Sequence, residues 1–246
     1  MKAIKDTLLI ARMKSIPDLK RNPLVLMVIA LISAIPLFFM TIFAQEGMLI
    51  HGLIGAMVST ISFIGVASGI QDISWDRYVK IREMIVAMPV HPASYAVGIA
   101  LAPLLLSLPS LVFFGALALT WQFVDVATII WTILTLVMTW AAMSAIGFII
   151  STYFYKASTY LLNNISNLLG LGVIFIPPVY YTETLLGGAS WVSVIIPTSN
   201  AAGLIRYYFG LLPLTQEALM VRWLILIVTT VTFIVLTSVK AKWRET

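Results

Sequence analysis

Two short stretches of this 246-residue chain carry side chains able to exchange ions, protons or hydrogen bonds. The first is QDISWDRYVKIREMIVAMPVHP, from Gln71 to Pro92. It is too polar to cross a membrane and reads as helix until Pro89. At 100° per residue Asp72, Asp76, Lys80 and Glu83 fall on one stripe, with Tyr78, Ile81, Ile85 and Met88 turned away from it. Such an amphipathic helix can lie in a headgroup layer, where an Asp76 to Lys80 pair contributes only about 0.2 to 0.5 kcal/mol. It can equally dock into a groove on a soluble partner, which Asp76, Lys80, Arg82 and Glu83 would then contact. The second stretch holds Asn163, Asn164, Ser166 and Asn167 at the start of an apolar run. Asn163 and Asn167 are one helical turn apart, so together with Ser166, and with Ser62 from an earlier run, they can line a polar path or hydrogen-bond a neighbouring helix.

What the sequence lacks narrows the chemistry. There is no cysteine, so disulfides, thiolate metal sites and a cysteine nucleophile are excluded. Neither a G-x-x-x-x-G-K-[ST] phosphate loop nor an HExxH zinc motif occurs, and the chain is not expected to act as an enzyme or to hold a cofactor or metal by itself. Ion-coupled carriers keep carboxylates or histidines within their spans, whereas His51, Asp125 and Lys156 lie close to the ends of apolar runs.

The elements that must position these residues are membrane helices. Hydrophobic residues make up 61% of the chain and charged residues 10%, against about 25% charged in an ordinary soluble domain. Uncharged runs extend from Leu24 to Gln45, Gly47 to Gln71, about Ser94 to Trp121, Val126 to Tyr155, Ala157 to about Tyr181 and Trp223 to Val239. Each is near or above the roughly 20 residues a helix needs to cross about 30 Å of hydrocarbon. The expected fold is therefore one all-α, polytopic domain over 1–246, with six transmembrane helices in which Pro36, Pro103 and Pro109 make bends. Gly65 and Gly69 form a small-xxx-small surface in the second run, suited to close helix packing.

Charge sets the expected orientation. Thirteen of the fifteen basic residues fall before Arg21 or at it, between Arg77 and Arg82, at Lys156, or from Lys240 onward; the other two, Arg206 and Arg222, fall in the long loop before the sixth run. Six spans put all of these on one side, which the positive-inside rule makes the cytoplasm, with both termini there. Segments 1–23 and 240–246 are then cytoplasmic, 72–90 is a cytoplasmic coupling helix, and 182–218 lies outside. Basic residues scattered in this way suit anionic lipid and not nucleic acid. Thr184 to Ile205 is also long and uncharged. Gly187-Gly188, Pro197 and the polar Thr198-Ser199-Asn200 mark it as a re-entrant element instead of a seventh span.

Three segments in order, LKRNPLVLMVIALISAIPLFF, EMIVAMPVHPASYAVGIALAP and PPVYYTETL with WVSVIIPTSNAAGLIR, resemble the permease subunit of ABC type-2 exporters. The resemblance covers nearly the whole chain. It implies an integral multi-pass protein of the plasma (cytoplasmic) membrane that pairs with a second permease half, as a homo- or heterodimer, and with two separate ATPase subunits. Those subunits would hold the ATP and magnesium. Glu83 to Pro89 would belong to the coupling region, and the second and fifth spans would flank the path of an amphiphilic or drug-like cargo. A glycolipid or polysaccharide is the competing cargo within the family; outside it stand an ATP-independent carrier or channel and a membrane scaffold.

Overall fold

A computed structural model describes residues 2–21, 23–43, 48–79, 90–121 and 125–240. Among them there is helix and turn but no strand. The helices are α1 (Lys2–Arg21), α2 (Leu24–Phe43), α3 (Met48–Ala67), α4 (Ile73–Tyr78), α5 (Pro92–Trp121), α6 (Val126–Tyr153), α7 (Thr159–Phe175), α8 (Val192–Ile195), α9 (Pro197–Tyr208) and α10 (Gln216–Lys240). Their starts reflect local chemistry. Asp125 caps α6 by accepting from the Thr128 amide at 2.8 Å, and hydrogen bonding from the Thr128 side chain and amide holds its carboxyl below the ordinary range. Ser158 caps α7 through Leu161, and Pro197 opens α9, where its missing N–H is of no consequence.

The centre of the bundle is α3. It is buried from Gly52 through Ser62 with no polar face toward solvent, as a helix that is apolar all round must be. Around it pack α2, α5, α6, α7 and α9, while α10 lies on the far side of α6. Close approach of α3 and α6 depends on missing side chains. A methyl on Gly65 would stand 2.8 Å from Met143 Cβ, and one on Gly69 2.7 Å from the Gly147 carbonyl carbon, so both glycines serve contacts within the chain.

The helices correspond to the six apolar runs with four differences. Helix does not stop at Gln71: α3 continues through a π turn (Ser68–Asp72) into α4, so charge ends the apolar run without ending the helix. Residues 80–89, the remainder of the expected coupling helix, lie outside the described residues. The helix of the sixth run, α10, begins at Gln216, bringing Arg222 out of the expected loop and into a helix. Next, α7 has 17 residues, about 25 Å at 1.5 Å per residue, because the Pro177-Pro178 pair breaks the run the sequence carries on to Tyr181. Lastly, among the described residues four helices are long and apolar enough to cross a membrane, or five if α1 and α2, bent by 86° from each other, are counted as one. The chain is a helical membrane protein.

Candidate functional site

The seam between α3 and α7 is where amide side chains meet. A π turn carries one more residue than an α turn, which rotates the helix beyond it and re-aims the side chains within it. Here it turns Gln71 onto α7. Its Nε2 donates to Ser166 Oγ at 3.0 Å and to Asn167 Oδ1 at 3.2 Å. Ser166 is fully buried, while Asn163, one turn before Asn167, is exposed in a groove of about 550 Å³ lined also by Gln71, Asp72, Trp75, Tyr78 and Tyr160. Three of the four residues expected on a path thus gather around one glutamine. Ser62 does not join them; it is buried in α3 and its hydroxyl donates to the Val58 carbonyl at 2.7 Å. Gln71 itself was legible only as the last residue of an apolar run, since nothing in hydropathy announces a π turn.

Beyond the π turn, the same helix end is clasped from two sides. Asp76 is 1% exposed; Lys14 Nζ of α1 donates to its Oδ1 at 2.7 Å and the Tyr95 hydroxyl of α5 to its Oδ2 at 2.6 Å. Arg77 points the other way, donating to the Ser151 carbonyl and hydroxyl and to the Tyr155 carbonyl at the end of α6. Two adjacent charges therefore tie α4 to three helices. The Asp76 carboxylate expected on a partner-facing stripe is spent inside the chain, and Lys80, Arg82 and Glu83 lie outside the described residues. Beside this clasp is a second groove of about 430 Å³ between α1, α2, α3 and α5, which shares Gln71, Asp72 and Trp75 with the first.

No family model matches the sequence, and no curated protein matches it. The seam offers exchangeable hydrogen bonds and aromatic faces beside apolar walls, the materials of reversible binding.

At the opposite end of the bundle, charge serves backbone. The break at Pro177-Pro178 frees carbonyls, and Arg206 of α9, 2% exposed, donates to those of Pro178 and Val179 at 3.1 and 2.5 Å. Arg222 of α10 pairs with Glu183, which also accepts from Ser193. Asn200 donates to the Arg222 carbonyl at 2.9 Å and Thr198 to that of Val173 at 2.7 Å. In the sequence both arginines stand out only as exceptions to the charge asymmetry. Their burial carried no sequence signal beyond the polar residues of an apolar, proline-broken segment.

Proposed function

We propose that this chain is the membrane permease of an ATP-driven exporter, crossing the plasma membrane six times with both termini in the cytoplasm. It works with a second permease half and two separate ATPase subunits, and carries an amphiphilic molecule out of the cytoplasm. The observation that carries the reading is the amide seam between α3 and α7. Polar groups inside an apolar bundle mark substrate routes, and this seam borders open grooves where a cargo can compete for its hydrogen bonds.

The clasp at Asp76 supports the ATPase half of the reading. A push on the segment after Tyr78 would be delivered through α4 to α1 and α5 by the Lys14–Asp76–Tyr95 group, and to α6 by Arg77. Lys80, Arg82 and Glu83 are then the residues that meet the ATPase, and Asp76 is a positioning residue behind them. Asp76, the buried acid among the described residues, and the partly buried Glu183 are each paired with a basic side chain. That favours an energy source other than proton or ion coupling at those carboxylates. The re-entrant reading of the segment after Pro177 rests on its succession of a 3-10 turn, the four-residue α8 and α9, each too short to cross.

Affinity purification of the tagged chain from its own membranes tests this reading. The expected result is a copurifying ATPase whose hydrolysis rises with cargo and which is lost in Glu83→Lys, since like charge set against a fixed partner surface costs several kcal/mol. Purification without an ATPase, together with transport driven by an ion gradient alone, would overturn it.

A further inference from the structure

A third groove lies away from the seam, on the face where α5 and α10 flank α6. Its volume is about 430 Å³, and α10 packs closely on α6 but not on α5, which leaves a gap between them. Trp140, Ala141, Ser144, Ala145 and Phe148 line it as one stripe of α6, positions i, i+1, i+4, i+5 and i+8 of a helix. Ser144 stands near the middle of that stripe. Val97 of α5 and Ile234 of α10 belong to the facing walls, and among the described residues no lysine, arginine or carboxylate lines the groove.

The polar side chains of this lining divide into two kinds. Toward the start of α5 and the end of α10 they are already bonded: His91 Nδ1 accepts from the Ala93 amide, Thr237 donates to the Ala145 and Phe233 carbonyls, and Ser238 donates to that of Val235. Deeper along α6, Trp140 Nε1 and the Oγ of Ser144, a residue 4% exposed, are closed off from solvent and have no hydrogen-bond partner among the described residues. An indole N–H can only donate, and a serine hydroxyl has one hydrogen to give. Two buried donors without acceptors weaken a fold, and a ligand that accepts from them recovers the loss.

We propose that this groove binds a neutral, apolar molecule carrying a carbonyl, whose oxygen accepts from Trp140 and Ser144. A carbonyl oxygen has two lone pairs, so one group can take both donors. The ligand is neutral because a charge would leave water for walls that hold no counter-charge. It comes dissolved in the hydrocarbon and is not the ester of a bilayer phospholipid. Ser144 lies nine residues before the end of α6 at Tyr153, about 13 Å along the axis at 1.5 Å per residue, which on the six-span reading is deeper than the ester layer. The site is separate from the α3–α7 seam, and binding there does not depend on export.

Binding of tritiated benzophenone is measured on the full chain in phosphatidylcholine nanodiscs, after subtraction of empty discs. The competitor is 1,1-diphenylethylene, which keeps the shape and replaces the carbonyl oxygen with a methylene group. The wild type binds the ketone about tenfold more tightly than the alkene. Ser144→Ala and Trp140→Phe each lower that ratio about threefold or more. Ser144→Ala melts no lower than wild type, because it removes a polar atom that has no partner, and it carries the test if Trp140→Phe misfolds. Ala141→Leu fills the groove and weakens both ligands. Irradiation attaches the bound ketone through its carbonyl carbon, and the label lies on α6 between Trp140 and Phe148. Discs of ether-linked phosphatidylcholine, which has no ester carbonyl, give the same ketone affinity. Equal affinity for ketone and alkene in the wild type, a label elsewhere, or a Ser144→Ala variant that melts lower and keeps the wild-type ratio overturns the site. Tighter ketone binding in ether-linked discs would show phospholipid esters filling the groove and overturns the choice of ligand.

Discussion

Two ends of the bundle bury charge in different ways. At one end Arg206 bonds backbone carbonyls that a proline pair has released, and Arg222 locks to Glu183 across the break. At the other, Lys14, Asp76 and Tyr95 join side chains from three separate helices, and Gln71 reaches across to α7. A carbonyl freed by a broken helix has no alternative partner in an apolar setting, so the first arrangement must persist for the fold to exist. Side chains on separate helices can exchange partners as the helices shift. The first end has no alternative bonding, and on the proposed transport reading the second is the end that rearranges.

The largest expected effect is at Arg206. Replacing it with Met leaves two buried carbonyls without donors and is expected to lower stability by about 4 kcal/mol. Arg206→Lys should recover little, because one ammonium cannot reproduce the guanidinium fork. Thermal unfolding in detergent reads both. Asp76→Ala is next, at about 3 kcal/mol, because it strands the half-covered Lys14. Here the conservative exchange should be tolerated: Lys14→Arg keeps the side-chain pair and near-wild-type melting. Hydrogen exchange in α1 should rise in Asp76→Ala and not in Arg206→Met. Equal tolerance of the two Lys/Arg exchanges would erase the distinction between the ends.

How far the sequence led is itself uneven, for physical reasons. Apolar runs marked the positions of the helices, although the Ser158 cap lies inside the run that begins at Ala157. Periodicity sees only neighbours within a helix, so it set Asp76 beside Lys80 and could not see Lys14, 62 residues earlier in the chain. Hydropathy ended a helix at the first charges, although Asp72 through Tyr78 continue it. Asn163, Ser166 and Asn167 were legible as amides and a hydroxyl out of place in an apolar run. Their partner Gln71 was hidden because its direction depends on the π turn. The charge count that oriented the chain treated Arg206 and Arg222 as loop residues, since a count carries no burial.

Smaller effects sharpen the picture between the ends. Gly69→Ala places a methyl against the Gly147 backbone, where nothing flexible can yield, and should cost about 2 kcal/mol. That loss belongs to packing, so cargo affinity in the surviving fold should stay within twofold of wild type. Gln71→Leu should cost only about 1 kcal/mol, the scale of one interhelical hydrogen bond in a membrane. Cargo handling should change more than melting does. The reverse pattern, normal transport with a large loss of stability, would make Gln71 simple helix glue.

The proposed transport path requires the seam between Gln71 and Asn167 to open during turnover. The chain has no native cysteine, so Gln71→Cys with Asn167→Cys can be joined by a short bifunctional methanethiosulfonate without background. Transport by the assembled complex is then measured before cross-linking, after it, and after reduction. The expected result is efficient cross-linking, loss of most ATP-driven transport, and recovery when the link is cleaved. Full transport by the cross-linked protein would contradict it, because the α3–α7 seam would then be a fixed joint and the path would run elsewhere.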